Sequence, residues 1–470
     1  MEHEMRVQAS HDVCTHELLS LSRNHVLRCD AFHPAQCTLY DIGTGTERTV
    51  SYSCFRALAL LDVQSFYLSD LNEHLRACGN PEISEATAAE YCESGFLTSD
   101  LASGQAQYYI RVSSMRPIQA GRATTPIASS PKKAEIHLTQ SCNQKCLYCG
   151  YDAGSKDFVE LPVETWLDIL RSLEREHVQS VMISGGEPLL YPGIDRILEH
   201  LASARIEVSL LTNGGLLRLE TAQRLTSQHI QTSISLDSAS PEVHDAVRGV
   251  GTHSLAVKAA EMLCAQGARF RLCCTLTSRN TREIRPLADL AVSLGAEALQ
   301  FGAVVSVGRA AEHPELLLGS RQVSDLGDAI RNQEERLRGR LGVGLVSFEQ
   351  SEHAQPSDAL TDQIYCTGGT SRIAISPDGG LYPCVLAFGD VNFKVGDLVS
   401  QSLQELWEKG DWGPMRRSVS ASSLVPCGMC PQASICAAKN CRLGAYYHSG
   451  DWHGQPALCP IHGVEINATG

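Results

Sequence analysis

Between residues 134 and 305 short apolar runs alternate with longer amphipathic stretches. The runs Glu135–Leu138, Ser180–Ser184, Glu207–Leu211, Thr232–Leu236, Arg269–Leu276 and Ala298–Gly302 have strand length and are bounded by turn residues. Pro162–Glu176, Asp195–Ala204 and Ser254–Gln266 carry apolar residues at helical spacing. Strands alternating with helices in this way predict a parallel sheet covered by helices, an α/β fold. Six such units are too few for a closed eight-stranded barrel. An open partial (β/α)6 barrel of TIM-like type is the expectation, with ligands beyond the carboxyl ends of the strands.

The flanks read differently. In residues 1–120, Cys37–Ile42 and Thr49–Tyr52 surround Gly43-Thr44-Gly45-Thr46, a hairpin pattern. Helical stretches follow at Cys54–Leu61, Leu68–Cys78 and Ser84–Ser94, and Tyr108–Val112 reads as a returning strand. Strands with three short helices make a small winged-helix-like unit. Residues 121–133 are rich in Pro, Ser, Thr and Ala without period and read as a linker. Residues 306–360, with a charged helix over Val323–Leu337, read as a bridge, and residues 361–470 as a cysteine-rich domain.

The whole chain narrows the classes. Its 470 residues suffice for two or three domains with ordinary cores. With 43% hydrophobic and 20% charged residues, no apolar run long enough for a membrane and no signal-peptide core, a soluble cytoplasmic protein is expected. A formal charge of −14 argues against a nucleic-acid surface. Nineteen cysteines without a secretory signal point to metal and away from disulfides. Ten are patterned, and the other nine read as small buried hydrophobes.

Three patterned cysteines, Cys142, Cys146 and Cys149, follow the first barrel strand in a C-x3-C-x2-C loop, with Tyr148 before the last. Three thiolates leave a [4Fe–4S] cluster with one iron free of protein ligands. A zinc loop is the other reading, although zinc sites usually pair C-x2-C and close with four ligands. The second strand runs into Gly185-Gly186-Glu187-Pro188, where glycines permit close backbone approach and Glu187 can accept from a ligand ammonium. The third strand ends at Thr212-Asn213-Gly214 and the fourth at Ser235-Leu236-Asp237; Arg248 follows. Ordinary turn chemistry and a surface arginine are the other reading of these residues.

The cysteine loop with Gly185-Gly186-Glu187 one βα unit later closely resembles the radical S-adenosylmethionine (radical SAM) superfamily. That resemblance implies SAM bound through its methionine end to the open iron, its amino group by Gly185, Gly186 and Glu187. Tyr148, Asn213, Ser235, Asp237 and Arg248 fall where relatives contact SAM. The remaining patterned cysteines are Cys366, Cys384, then Cys427-x2-Cys430-x5-Cys436-x4-Cys441, and Cys459, with the turn Ser376-Pro377-Asp378-Gly379-Gly380 among them. They resemble the SPASM extension, which carries auxiliary [4Fe–4S] clusters. One residue more than usual separates Cys436 from Cys441. The family's interleaving implies one auxiliary cluster on Cys427, Cys430, Cys436 and Cys459, and a second on Cys366, Cys384 and Cys441, whose fourth ligand no nearby cysteine supplies.

The resemblance implies an oxidoreductase that cleaves SAM reductively to a 5′-deoxyadenosyl radical. The radical would take a substrate hydrogen and lead to a thioether, C–C or C–O crosslink in a ribosomally made precursor peptide. It also implies a flavodoxin- or ferredoxin-type electron donor. The N-terminal unit resembles the PqqD-like element that holds a precursor's leader as an added strand; a purely structural cap fits the same residues. A maturase of another protein such as a sulfatase, a cofactor-pathway enzyme, or a non-catalytic metal-stabilised binding module stay open as rivals. No residue is nominated as acid or base.

Overall fold

The computed structural model describes residues 127–345 and 363–456 apart from 129, 155–158, 365, 418, 426 and 431–440, together with residue 459 and segments between 20 and 98. Those N-terminal segments are strands β1 (Ser20–Leu21), β2 (His25–Cys29), β3 (Cys37–Asp41), β4 (Thr46–Val50) and β5 (Leu97–Thr98). β3 and β4 pair antiparallel as the hairpin pattern predicts, and β2 adds to the other side of β3. Except for Arg76 and Ser84, the three expected N-terminal helices and the strand at Tyr108–Val112 lie outside the described residues.

The barrel strands are β6 (Lys133–His137), β7 (Ser180–Ser184), β8 (Glu207–Thr212), β9 (Gln231–Ser235), β10 (Phe270–Leu276) and β11 (Ala298–Ala303). They lie side by side in chain order, all parallel. This is the expected partial TIM-like barrel. Period-two alternation sets its two faces. On β6, Ala134 and Ile136, with Leu138 just after it, enter the core beneath the helices, which turns Glu135 and His137 to the concave side.

The helices are built for that core. In α1 (Val163–Arg175) Trp166, Leu167, Ile169, Leu170 and Leu173 are buried at helical spacing. Each such side chain contributes about 1.5–3 kcal/mol on burial. After α2 (Ile194–Ser203) and α3 (Leu219–Ser227), α4 (Pro241–Arg248) starts with Pro241 behind Ser240, whose hydroxyl accepts from the Val243 amide at 3.4 Å.

The sheet is wider than six strands. Beyond β11 lies β12 (Gly342–Leu345), inside the stretch read as a bridge. On the other side β6 pairs in parallel with β14 (Arg372–Ile375), which follows β13 (Gln363–Ile364). β14 continues antiparallel into β15 (Gly380–Tyr382) and β16 (Gly396–Asp397). The C-terminal cysteine-rich region therefore grows from the barrel's own first edge. No helix among the described residues is long and apolar enough to cross a membrane.

Candidate cofactor and cluster site

The C-x3-C-x2-C loop leaves the carboxyl end of β6 and is stitched to the turn after β7, to α4 and to the segment after β11. Gly186 N–H donates to Thr139 O at 2.8 Å and Glu187 N–H to Ser141 O at 2.8 Å. A Cβ on Gly186 would stand 2.2 Å from Ser141 O, and one on Gly185, at φ +137°, 2.6 Å from Thr139 O. The two glycines thus serve first the joint between the β7 turn and the cysteine loop. From the other side, Leu147 N–H donates to Val247 O at 2.9 Å.

A third attachment was missed in the sequence. Arg309, just after β11, donates from Nε to Cys146 O at 2.9 Å. Its Nη1 reaches Asp152 Oδ1 and Ala153 O, both at 2.9 Å, and its amide donates to Cys149 O at 3.0 Å. Gly308, at φ +56°, has no space for a Cβ, which would lie 2.5 Å from Cys149 O. The only local signal is a Gly-Arg pair after the sixth strand, which reads as the start of the bridge.

The three thiols share one neighbourhood. Burial pushes Cys142 up to about 11, with Cys146, Glu187 and Cys149 adding to it. Cys146 is raised chiefly by burial too, against the pull of the Arg248 and Arg309 cations. Three thiols on one short loop beside two guanidiniums suit an anionic, three-thiolate cluster.

Glu187 is fully buried and already engaged. Oε1 accepts from Leu189 N–H at 3.1 Å and the Thr212 hydroxyl at 2.8 Å, and Oε2 from Asn213 N–H at 2.9 Å. Burial raises this carboxyl, and those three donors oppose it. Oε2 keeps a lone pair for one further donor. Asn213 Nδ2 donates to Asn143 Oδ1 at 2.8 Å, so this side chain also braces the cysteine loop.

Asp237 is the hub of a second buried network. It accepts from the Tyr148 hydroxyl, from Arg248 Nε at 2.6 Å and Nη2 at 3.2 Å, and from Thr275 N–H at 2.9 Å. Burial alone would raise this carboxyl, but the Arg248 guanidinium holds it below its ordinary value. The Arg248 cation lies 5.3 Å from the centre of the Tyr148 ring. Arg248 is thus no surface arginine. Its charge is answered inside the protein, and the pair fixes the aromatic between Cys146 and Cys149. Ser235 is half-buried at the end of β9, in register with Cys273.

The C-terminal cysteines gather around short turns. Cys366 precedes β14, Cys384 follows β15, and Cys441 caps α9 (Arg442–Ser449), which follows α5 (Thr252–Ala265), α6 (Ile284–Ser293), α7 (Ser320–Arg336) and α8 (Leu403–Lys409). Burial, then Cys441 and Cys384, lifts the Cys366 thiol up to about 12. Cys384, lifted to about 11 by burial, also feels Cys441 and Glu135. Cys427 packs with Ile364, Val419 and Leu424; Cys459 is buried and Cys430 half-buried. Cys436 lies outside the described residues.

An aromatic joint connects the two cysteine regions. The His137 ring meets Tyr151 edge-on at 4.5 Å and Phe388 at 4.8 Å between centroids. Tyr151 lies two residues beyond Cys149, and Phe388 packs in the core that holds Cys366 and Cys384.

A family model described as the radical SAM superfamily matches residues 136–291, and one described as an iron–sulfur cluster-binding domain, SPASM, matches residues 366–431. The chain is 31% identical over 300 residues to the mycofactocin maturase MftC of Mycobacterium tuberculosis, covering 62% of this chain and 74% of that one. It is 26% identical over 346 residues to a PqqA peptide cyclase of Streptomyces rochei, covering 72% and 91%. In fold it resembles Streptococcus suis SuiB, solved with its precursor peptide SuiA, with a TM-score of 0.70 at 16% identity, over 94% of this chain and all of that one.

Proposed function

The chain belongs to the radical SAM superfamily, with a SPASM cluster-binding domain, and from that premise we propose that it is a peptide maturase installing an oxidative crosslink in a ribosomally made precursor. The likeness to a PqqA peptide cyclase and to a mycofactocin maturase favours a peptide over the rival substrates. The observation that carries the reading is the cysteine loop, held by the β7 glycine turn, by Arg309 and by the Tyr148–Asp237–Arg248 network.

In this reading Cys142, Cys146 and Cys149 hold the cluster that SAM joins. Gly185, Gly186 and the spare lone pair of Glu187 receive the SAM amino group. Tyr148, Asn213, Ser235, Asp237 and Arg248 border the rest of it. Bound there, cluster and SAM supply a primary carbon radical able to remove hydrogen from an unactivated carbon. Cys427, Cys430, Cys436 and Cys459 hold one auxiliary cluster. Cys366, Cys384 and Cys441 hold another with a corner open to a soft donor such as a peptide thiolate. A thioether is then the expected bond where the peptide brings a cysteine, and a C–C or C–O bond otherwise. A flavodoxin- or ferredoxin-type protein delivers the electron.

Residues 1–120 hold the leader, residues 134–305 form the radical domain and residues 361–470 the auxiliary-cluster domain. Support for the first assignment comes from Tyr40 on β3, whose hydroxyl donates to Glu207 at the start of β8. That contact fixes the β2–β3–β4 sheet to the radical domain at the amino end of β8. The test is anaerobic reconstitution with SAM and reductant. Formation of 5′-deoxyadenosine and about twelve irons per chain, from three clusters, is expected. About four irons with stoichiometric zinc would confine iron to the first loop.

A further inference from the structure

Arg442 follows Cys441 directly and is 1% exposed. Its Nη1 donates to the carbonyl oxygens of Trp452 at 3.3 Å and Gly454 at 3.0 Å. Its Nε and Nη2 are buried and, among the described residues, meet no acceptor. Among the described residues no carboxylate forms an ion pair with it, although Asp451 contributes to its field. Three cysteines, Cys427, Cys441 and Cys366, also contribute to that field. Trp452, whose carbonyl it holds, packs both in the core with Cys366 and Cys384 and in the core with Cys427. Arg442 therefore stands in the seam between the two auxiliary cysteine sets.

A guanidinium stays protonated in proteins, and a buried charge without a partner costs several kcal/mol. Neither carbonyl neutralises it. What fits is an anion that accepts hydrogen bonds, and thiolate-ligated clusters are such anions, their potentials set in part by hydrogen bonds to sulfur. We propose that Arg442 is a shared positioning residue for both auxiliary clusters. Its Nε and Nη2 donate to sulfurs of the two, and its charge stabilises their reduced forms together. This rests on the assignment of two auxiliary clusters made above.

Removing a cation beside a cluster disfavours the added electron, so both auxiliary midpoints should fall in Arg442→Gln. Arg442→Lys, which keeps the charge but loses the planar fork, should stay nearer the wild type. The measurement is an EPR-monitored redox titration of the full reconstituted chain, repeated with Cys142, Cys146 and Cys149 changed to Ala so that only auxiliary signals remain. Loss of both auxiliary clusters in Arg442→Gln but not in Arg442→Lys also supports the proposal, since charge is then what the clusters require. Unchanged midpoints in both variants, a shift at one cluster only, or equal loss of clusters in both variants would overturn it. Wild-type protein without auxiliary iron would overturn the cluster assignment as well, and is recognised before any variant is made.

Discussion

The two cysteine regions are organised in opposite ways. Cys142, Cys146 and Cys149 sit on one short loop, and the protein's effort goes into fixing that loop from outside: the β7 glycine turn, Arg309, and Tyr148 held by Asp237 and Arg248. The C-terminal cysteines come from separate turns and a helix start, and a buried cation, Arg442, lies among them. The first region is walled from outside, and the second carries a buried cation within it.

The sharpest way to break this contrast is to empty one region at a time. Changing Cys142, Cys146 and Cys149 together to Ala should abolish 5′-deoxyadenosine formation while the auxiliary iron remains, read by chromatography and metal analysis. SAM cleavage surviving in that variant would move the chemistry elsewhere. Changing Cys366, Cys384 and Cys441 to Ala should remove about four irons. It should also block peptide modification yet leave uncoupled SAM cleavage. Parallel loss of both activities would make the two regions one unit.

Smaller changes sharpen the comparison. Arg309→Gln removes a charged donor from Cys146 O and Ala153 O and breaks the ion pair with Asp152. Hydrogen bonds to charged groups are worth about 1.5–3 kcal/mol each, so at least tenfold less 5′-deoxyadenosine is expected, with the auxiliary EPR signals unchanged. Wild-type turnover would show that the loop needs no such clamp. The smallest effect is expected at Tyr40→Phe, which removes one hydroxyl contact to Glu207. Peptide KM should rise a few-fold while uncoupled SAM cleavage holds, and equal loss of both would favour the structural-cap reading of the N-terminal unit.

What the sequence revealed followed the range of the interactions. All six barrel strands, the hairpin of β3 and β4 and the cysteine spacing are local patterns, read from period two and from short intervals. The addition of β14, β15 and β16 to the β6 edge was not legible, because it pairs segments far apart in the chain. Arg309 meets Cys146 across 163 positions, and nothing near either residue announces it. Arg248 was singled out in the sequence, but its ion pair with Asp237 depends on how α4 packs beneath the loop. Glu187 is similar: its position was legible, whereas its three protein donors were not. Arg442 carries no local signal in the sequence; its burial, and the lack of acceptors among the described residues, set it apart.

The central claim is radical modification of a peptide, and mass spectrometry of a candidate precursor peptide after anaerobic co-expression with this chain tests it most directly. The account predicts a product lighter by two hydrogens with the wild-type protein, with tandem spectra locating a crosslink, and unmodified peptide with the variant lacking Cys142, Cys146 and Cys149. A precursor of unchanged mass alongside a fully cluster-loaded wild-type protein would contradict it.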